Sequence, residues 1–170
     1  DSIRKETDNI LLLDAGDIFQ GTPYFNFFGG ELEMKLMTAM GYDAATIGNH
    51  DFDLGIDGLE KQLVHADFPL LISNYDFSDT VMNGKTRNHL IRKFDNIKIG
   101  ITGVGIELNG LVPQNLYKNT IYLDPVTAVQ KQAHMLKHDH GCDYVICLSH
   151  LGFRYRNEKV SDVVLASNTV

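Results

Sequence analysis

The stretch NILLLDAGD, residues 9–17, decides the fold of this chain. A short, continuous apolar run of this kind is typical of a β-strand that is buried on both faces, as in parallel sheets covered by helices. Polar residues follow the run directly, and in open α/β sheets ligands bind beside the carboxyl ends of the strands. The stretch therefore predicts an α/β fold and marks Asp17 as a residue that faces the ligand edge.

The order strand, helix, strand continues after this stretch. Residues 31–40 predict a helix that ends at Gly41, with a buried stripe made of Leu32, Leu36, Ala39 and Met40. Residues 43–47 predict the second strand, and a strand–helix–strand unit implies that the two strands are parallel. Residues 57–66 predict another helix, and residues 68–74 predict a third strand.

The second half of the chain adds an antiparallel element. Residues 89–94 and 97–101 are strand-like and flank the turn residues Asp95 and Asn96, which predicts a β-hairpin. Beyond it the pattern predicts a loop at residues 103–123 and a capped helix at 124–141. A strand at 143–150 and a last helix at 157–166 follow. The fold class that follows is α/β, with mixed β-sheets flanked by helices in a single domain.

Composition excludes several classes of protein. The 170 residues are 44% hydrophobic and 22% charged, which is typical of one globular domain rather than a disordered chain. The net charge of −7 comes without a basic patch, so we expect no nucleic-acid partner. No apolar run approaches the length that spans a bilayer, so this segment should make no membrane contact. Cys142 and Cys147 should face opposite sides of a strand and stay unbridged, so they reveal no redox compartment.

Coordinating residues follow three of the predicted strands. These residues are Asp17, the run Asn49-His50-Asp51, and His150. Each has a structural alternative: a carboxylate that caps a turn, an asparagine in a left-handed turn, or a histidine satisfied within the core. Because all three sets fall on the ligand edge of one sheet, a shared site explains them better. Their oxygen and imidazole donors suit Mn²⁺, Zn²⁺, Fe²⁺ or Mg²⁺.

Three extended motifs carry a specific resemblance. They are GDIFQGT at 16–22, GNHDFD at 48–53 and LSHLG at 148–152. Together they resemble the calcineurin-like metallophosphoesterases, and within that superfamily the 5′-nucleotidase branch. The resemblance implies a layered metallophosphoesterase domain, two divalent metal ions, and a nucleotide or other small phosphate ester as substrate. It also implies a periplasmic, extracellular or membrane-anchored location for the parent protein.

The resemblance assigns roles to particular residues. Asp17 matches the carboxylate that bridges the two ions, and Asn49 and His150 match ligands of the second ion. His50 matches the histidine that contacts the substrate phosphate, and Asp53 matches the acid that orients it. The implied reaction is hydrolysis of a nucleoside 5′-monophosphate to nucleoside and phosphate by a metal-bridged hydroxide.

Asn74 is a further candidate from its position alone. It lies at the end of the third predicted strand, so we expect it to approach the phosphate and bind substrate.

The sequence also departs from the family pattern. It contains no Asp-x-His and no Gly-His-x-His, the motifs that supply the remaining metal ligands in the family. We therefore expect residues 1–170 to be one partial catalytic domain with an incomplete metal site. Two alternatives to phosphomonoester hydrolysis follow: a phosphodiesterase that cleaves cyclic nucleotides, and a non-catalytic scaffold or binding fragment of this fold.

A second group of histidines, which resembles a metal cluster, lies apart from these motifs at His134, His138 and His140. His134 and His138 have the i, i+4 spacing of neighbours on a helix face and could bind zinc. Position 135 is methionine, so the zinc-protease motif with glutamate at that position is absent. We expect a solvated helix face at this position, with a metal site as the alternative.

Overall fold

The computed structural model describes residues 3–21 and 23–169, which form seven strands and six α-helices. The strands are β1 Leu13–Asp14, β2 Ala44–Ala45, β3 Tyr75–Asp76, β4 His89–Phe94, β5 Ile97–Val104, β6 Ile121–Tyr122 and β7 Tyr144–Ser149. The helices are α1 Pro23–Phe28, α2 Glu31–Met40, α3 Gly55–Gln62, α4 Gln114–Tyr117, α5 Pro125–His134 and α6 Asp162–Asn168. The α/β class with mixed strand directions is confirmed.

The strands form one three-stranded sheet and two short pairs. In the larger sheet β5 is central, antiparallel to β4 and parallel to β7. The pair β1–β2 is parallel, as the strand–helix–strand order predicts, with Leu13 opposite Ala44. The pair β3–β6 is antiparallel. The predicted hairpin is confirmed, and Asp95 in its two-residue turn has the left-handed φ of 49°.

The third predicted strand is reduced to isolated bridges. Leu70 pairs with Ala45, and Leu71 pairs with Arg87, so residues 68–74 lie beside β2 without forming a continuous ladder with it. The hydroxyl of Thr46 donates to the carbonyl of Leu71 at 2.8 Å, which ties this segment to the end of β2. The prediction of a full strand there was wrong, although the segment occupies the expected place.

The buried face of α2 differs from the predicted stripe. Met34 and Met37 are buried, whereas Leu36 and Met40 are each 52% exposed. Apolar residues cover more than half of the circumference of this helix, so the period alone could not select which apolar stripe packs inward. Gly41 ends the helix as predicted, in the left-handed conformation.

Three other boundaries also differ from prediction. The helix predicted at 57–66 begins at Gly55 and becomes a 3₁₀ turn at Leu63–His65. The predicted loop 103–123 contains the end of β5, all of α4 and β6. The last helix begins at Asp162, because the Ser161 side chain accepts a hydrogen bond from the backbone N–H of Val164 and caps it there. The predicted start at 157 was therefore wrong.

The core holds the carboxyl ends of the strands in place. One cluster of Ala44, Leu71, Ile101 and Leu148 joins the two parallel regions. Another, made of Val104, Val129, Leu151 and Leu165, packs the ends of β5 and β7 against α5 and α6. Full burial of such a side chain stabilises the fold by about 1.5–3 kcal/mol. The core therefore fixes the strand ends from which the loops after β1, β2 and β7 begin.

Neither a disulfide bond nor a membrane-spanning helix is found among the residues that the structure describes. Cys142 and Cys147 are free thiols, so the expected lack of a bridge is confirmed. Over residues 3–21 and 23–169, no helix combines the length and the apolar character needed to cross a bilayer.

Candidate active site

The ends of β1 and β7 bring Asp17 and His150 into direct contact. Nε2 of His150 lies 3.2 Å from Oδ2 of Asp17. On the other side of the ring, Nδ1 lies 2.6 Å from the carbonyl oxygen of Ala15. A carbonyl can only accept, so Nδ1 carries the hydrogen, and in the neutral ring Nε2 keeps a lone pair that faces the carboxylate. The side chains from two predicted strand ends therefore meet.

The loop that carries Asp17 has a conformation that few residues adopt. Asp17 has a left-handed φ of 63°, directly after Gly16 with φ 93°. A non-glycine residue in this region is uncommon and costs about 1 kcal/mol or more. The backbone N–H of His50 donates to Oδ1 of Asp17 at 2.9 Å, so the second loop holds the carboxylate in its orientation.

Asp51 fastens the two loops together. Its buried carboxylate accepts three backbone N–H groups: Gly48 at 2.7 Å, Ile18 at 2.7 Å and Asp17 at 3.1 Å. Burial raises the pKa of Asp51 to about 6, although the three N–H groups act in the opposite direction. Sequence reasoning counted Asp51 within a candidate motif but gave it no role. Its contacts cross 33 and 34 positions of sequence, so no local pattern reveals them.

Gly48 allows the loops to approach each other. A Cβ atom at this position would overlap Oδ1 of Asp17 and would lie 2.8 Å from Cε1 of His150. A Cβ at Gly16 would lie 2.6 Å from the backbone nitrogen of Gly48. Both glycines of the two motifs are thus needed for close packing between the loops that bear the site.

His50 and Asp53 form a second pair at the same edge. Nδ1 of His50 lies 3.1 and 3.2 Å from the two carboxylate oxygens of Asp53, within a 3₁₀ turn that runs from His50 to Phe52. Both side chains are partly exposed. The carboxylate orients the ring, and Nε2 of His50 remains the atom that can reach a bound molecule.

Asn49 lines an open cleft beside this pair. The cleft has a volume of about 440 Å³ and is also lined by Gly16, His150, Tyr155 and Asp162. The hydroxyl of Ser149 donates to Oδ1 of Asp162 at 2.6 Å, so α6 is tied to the residue that precedes His150. No pattern in the sequence indicates this contact, because the serine and the aspartate lie in separate elements.

Asn74 is placed differently from the other candidates. It is fully buried, and its amide is paired with the backbone of Gly105: Nδ2 donates to the carbonyl and Oδ1 accepts the N–H, both at 2.8 Å. These contacts give Asn74 a role in fixing the chain after β5. Its predicted contact with substrate stays a prediction.

Charge is concentrated at this edge. Burial alone would raise the pKa of Asp17, but the hydrogen bond with His150 and the N–H of His50 outweigh it, and the pKa is lowered. The hydrogen bond with Asp17 raises the pKa of His150. Burial, together with the charge of Asp17, raises the pKa of Asp14 despite a hydrogen bond from Gly16. Several carboxylates therefore share one small region.

The donors at the edge fit a divalent metal ion in part. In the neutral ring Nε2 of His150 turns a lone pair toward a carboxylate oxygen 3.2 Å away, so either a proton on Nε2 or a metal ion between the two atoms satisfies the contact. Two ligands of one ion at about 2.1 Å are roughly 3.0–3.4 Å apart, which matches this spacing. A backbone carbonyl that accepts the other ring N–H is the usual arrangement for a metal-bound histidine. Within the described ranges no three His, Cys, Asp or Glu side chains form a metal cluster, and Asn49 lines the same cleft as His150.

The comparison with solved structures identifies the class of fold. The structure is similar to a 5′-nucleotidase precursor from Thermus thermophilus, with a TM-score of 0.81 and 32% identity over 89% of this chain and 30% of that chain. It is also similar to the NAD nucleotidase of Haemophilus influenzae, with a TM-score of 0.79 and 34% identity over 89% of this chain and 27% of the other. The fold is that of the metallophosphoesterases.

The family follows from the sequence comparison. Residues 1–168 match the calcineurin-like phosphoesterase family, and the chain belongs to that family. It is 34% identical over 177 residues to the snake venom 5′-nucleotidase of Gloydius brevicauda, and the aligned region covers 98% of this chain and 30% of the relative. It is 33% identical to the NAD 5′-nucleotidase of Haemophilus influenzae, over 95% of this chain and 27% of the relative. The chain thus spans about 30% of the length of these relatives. The resemblance predicted from the three motifs is confirmed.

Proposed function

We propose that the protein carrying this chain hydrolyses nucleoside 5′-monophosphates to nucleoside and phosphate at a site with divalent metal ions. The observation that carries the proposal is the arrangement at the strand edge. The oriented pair of His50 and Asp53 adjoins Asp17 and His150, whose facing side-chain atoms have the spacing of two ligands of one ion. The names of the relatives, 5′-nucleotidase and NAD 5′-nucleotidase, support a nucleotide as substrate.

The charges of the site support a requirement for metal ions. The end of β1 and the two loops carry four carboxylates, those of Asp14, Asp17, Asp51 and Asp53, and the chain has a net charge of −7. A phosphate dianion would be repelled from this region unless positive charge compensates. Bound divalent ions supply that charge, polarise the phosphoryl group and lower the pKa of water. Asp17, Asn49 and His150 are the residues that would hold an ion here.

His50 would act on the substrate itself. With Nδ1 held by Asp53, a protonated ring presents Nε2–H to a phosphoryl oxygen or to the leaving 5′ oxygen. As water forms its new bond to phosphorus and the bond to the 5′ oxygen breaks, that oxygen needs a proton, and His50 can donate it. Asp53 keeps the ring aligned.

The direct test is a comparison of His50→Ala with the unaltered full natural protein. We expect phosphate release from AMP in the presence of Mn²⁺ to fall by about 10²–10⁴-fold, the usual contribution of a general acid. His65→Ala is the matched control, because His65 lies in another 3₁₀ turn and faces Glu31. Wild-type turnover in His50→Ala, or preferential cleavage of a cyclic nucleotide over AMP by the unaltered protein, would contradict the proposal.

The identity of the metal ion belongs to the same proposal. We infer Mn²⁺, Zn²⁺, Fe²⁺ or Mg²⁺, because the donors are carboxylate and amide oxygens with one imidazole and no thiolate. Removal of metal by a chelator should abolish phosphate release, and addition of one of these ions should restore it. Full activity after chelation would contradict this inference.

We also propose that the protein acts outside the cytoplasm, in the periplasm or at the cell exterior. The support is the snake venom origin of one group of relatives. Fractionation of the source cells, with AMP hydrolysis followed in each fraction, tests this location, and activity confined to the cytoplasmic fraction would contradict it.

A further inference from the structure

A pair of histidines lies where α5 passes into a π-helical turn. His134 is the last residue of α5, and His138 lies in the turn Met135–Asp139. Both side chains are exposed, as the sequence predicts for a solvated helix face. Their ring centroids are 4.5 Å apart, and the ring planes make an angle of 44°. The two imidazoles are therefore neighbours on the surface.

The spacing of the rings fits two ligands of one metal ion. A metal–nitrogen bond of about 2.0–2.1 Å places an imidazole centroid about 3.2 Å from the ion. Two such rings at right angles about the ion then have centroids about 4.5 Å apart. The observed separation has this value before any ion is added.

The surroundings leave room for an ion and its water ligands. An open groove of about 410 Å³ is lined by the two histidines together with Gln130, Ala133 and Lys137. The ammonium group of Lys137 donates to the carbonyl of Asp143 at 2.6 Å, so it is turned toward the start of β7 rather than between the rings. Among the residues that the structure describes, no third His, Cys, Asp or Glu completes this pair, so water would fill the remaining positions.

The pair is separate from the candidate active site. The π-helical turn precedes β7, whereas His150 follows the last residue of that strand. A strand of six residues spans about 20 Å, so the two positions lie at opposite ends of it.

We propose that His134 and His138 bind a borderline transition-metal ion, Zn²⁺, Ni²⁺ or Cu²⁺, at a surface site distinct from the strand edge. Imidazole nitrogen suits these ions, whereas Mg²⁺ and Mn²⁺ favour oxygen ligands. The strand edge differs in its donors, which are carboxylate and amide oxygens with one imidazole. The two proposed sites would therefore differ in their relative affinity for these ions.

The test is a titration of the tag-free chain with Cu²⁺ and Ni²⁺, followed by calorimetry and by the visible absorption of the imidazole-bound ion. We expect His134→Ala and His138→Ala each to weaken binding by at least tenfold, whereas Asp17→Asn leaves this affinity unchanged. Both histidines are exposed, so these variants should keep the wild-type circular dichroism spectrum.

His140→Ala is the matched control. The rings of His89 and His140 are 5.4 Å apart, and Nδ1 of His89 is already paired with Gln132 at 2.8 Å. The strand edge can also take these ions, so the double variant His134→Ala/His138→Ala is compared in the Asp17→Asn background, and an unchanged Cu²⁺ affinity there would overturn the proposal. A loss in His140→Ala or Asp17→Asn with no loss in the His134 and His138 variants would do the same, since the ion would then be held elsewhere.

Discussion

Substitution of Gly48 by alanine should disable the metal site while the core remains folded. The added Cβ would overlap Oδ1 of Asp17, and would lie 2.6 Å from the backbone nitrogen of Asp17 and 2.8 Å from Cε1 of His150. Ordinary contacts begin near 3.4 Å, so the last two atoms must move by about 0.6 to 0.8 Å and the carboxylate by more.

These displacements should weaken metal binding strongly and lower the stability of the fold moderately. Metal–ligand distances tolerate only about 0.2 Å, and both displaced side chains are candidate ligands, so we expect Mn²⁺ to bind at least tenfold more weakly. Overpacking of this kind costs about 1–3 kcal/mol. For a chain of this size that lowers the melting midpoint by about 2–12 °C.

Gly110→Ala is the control for the cost of adding a methyl group at a glycine. Gly110 has a φ of 83°, and a Cβ there would meet nothing within 4 Å. Its left-handed conformation should cost about 1–2 kcal/mol, a similar loss of stability. Calorimetric Mn²⁺ titration and thermal unfolding of both variants provide the assay. Wild-type Mn²⁺ affinity in Gly48→Ala would refute the role given to this contact between the loops.

Three further predictions concern stability and reactivity. Asp51→Ala leaves three backbone N–H groups without an acceptor, and each costs about 1–3 kcal/mol. Removal of the buried charge offsets part of this cost, but the melting midpoint should still fall further than in Asp43→Ala, whose side chain accepts one N–H. Equal melting midpoints would contradict this prediction. Asp124→Ala removes the side chain that accepts the Thr127 N–H at 2.8 Å and caps α5. The free energy of unfolding measured in urea should therefore fall by about 1 kcal/mol, and an unchanged value would contradict the role of the cap. Burial raises the pKa of Cys147, which is partly buried, to about 12, so at pH 8 a disulfide reagent should modify this thiol in Cys142→Ala much more slowly in the folded chain than in the unfolded chain, and equal rates would contradict the shielding.

The sequence predicted the elements whose signals are local. The turn at Asp95 and the cap at Asp124 each depend on a few neighbouring residues, and each lies where expected. The apolar run at 9–14 forms a strand only at Leu13–Asp14, and this strand is partly buried rather than covered on both faces. The parallel pairing of β1 and β2 followed from the general rule for strand–helix–strand units.

What the sequence could not predict depends on contacts between distant segments. The buried face of α2 was assigned wrongly, because apolar residues cover more than half of this helix and only its packing partners select Met34 and Met37. The same holds for Asp51, whose three N–H donors come from two loops, and for Asp162, which meets Ser149 from another helix. The order of motifs thus located the site, whereas its internal support required the structure.

The most direct test of the metal site at the strand edge is a calorimetric titration of the chain with Mn²⁺ beside the same titration of Asp17→Asn. The asparagine keeps the shape of the side chain and an oxygen that can accept the N–H of His50, but it removes the charge that faces His150. We predict that Mn²⁺ binds the unaltered chain and that binding weakens at least tenfold in the variant. Equal binding to both chains, or no binding to the unaltered chain, would contradict the account.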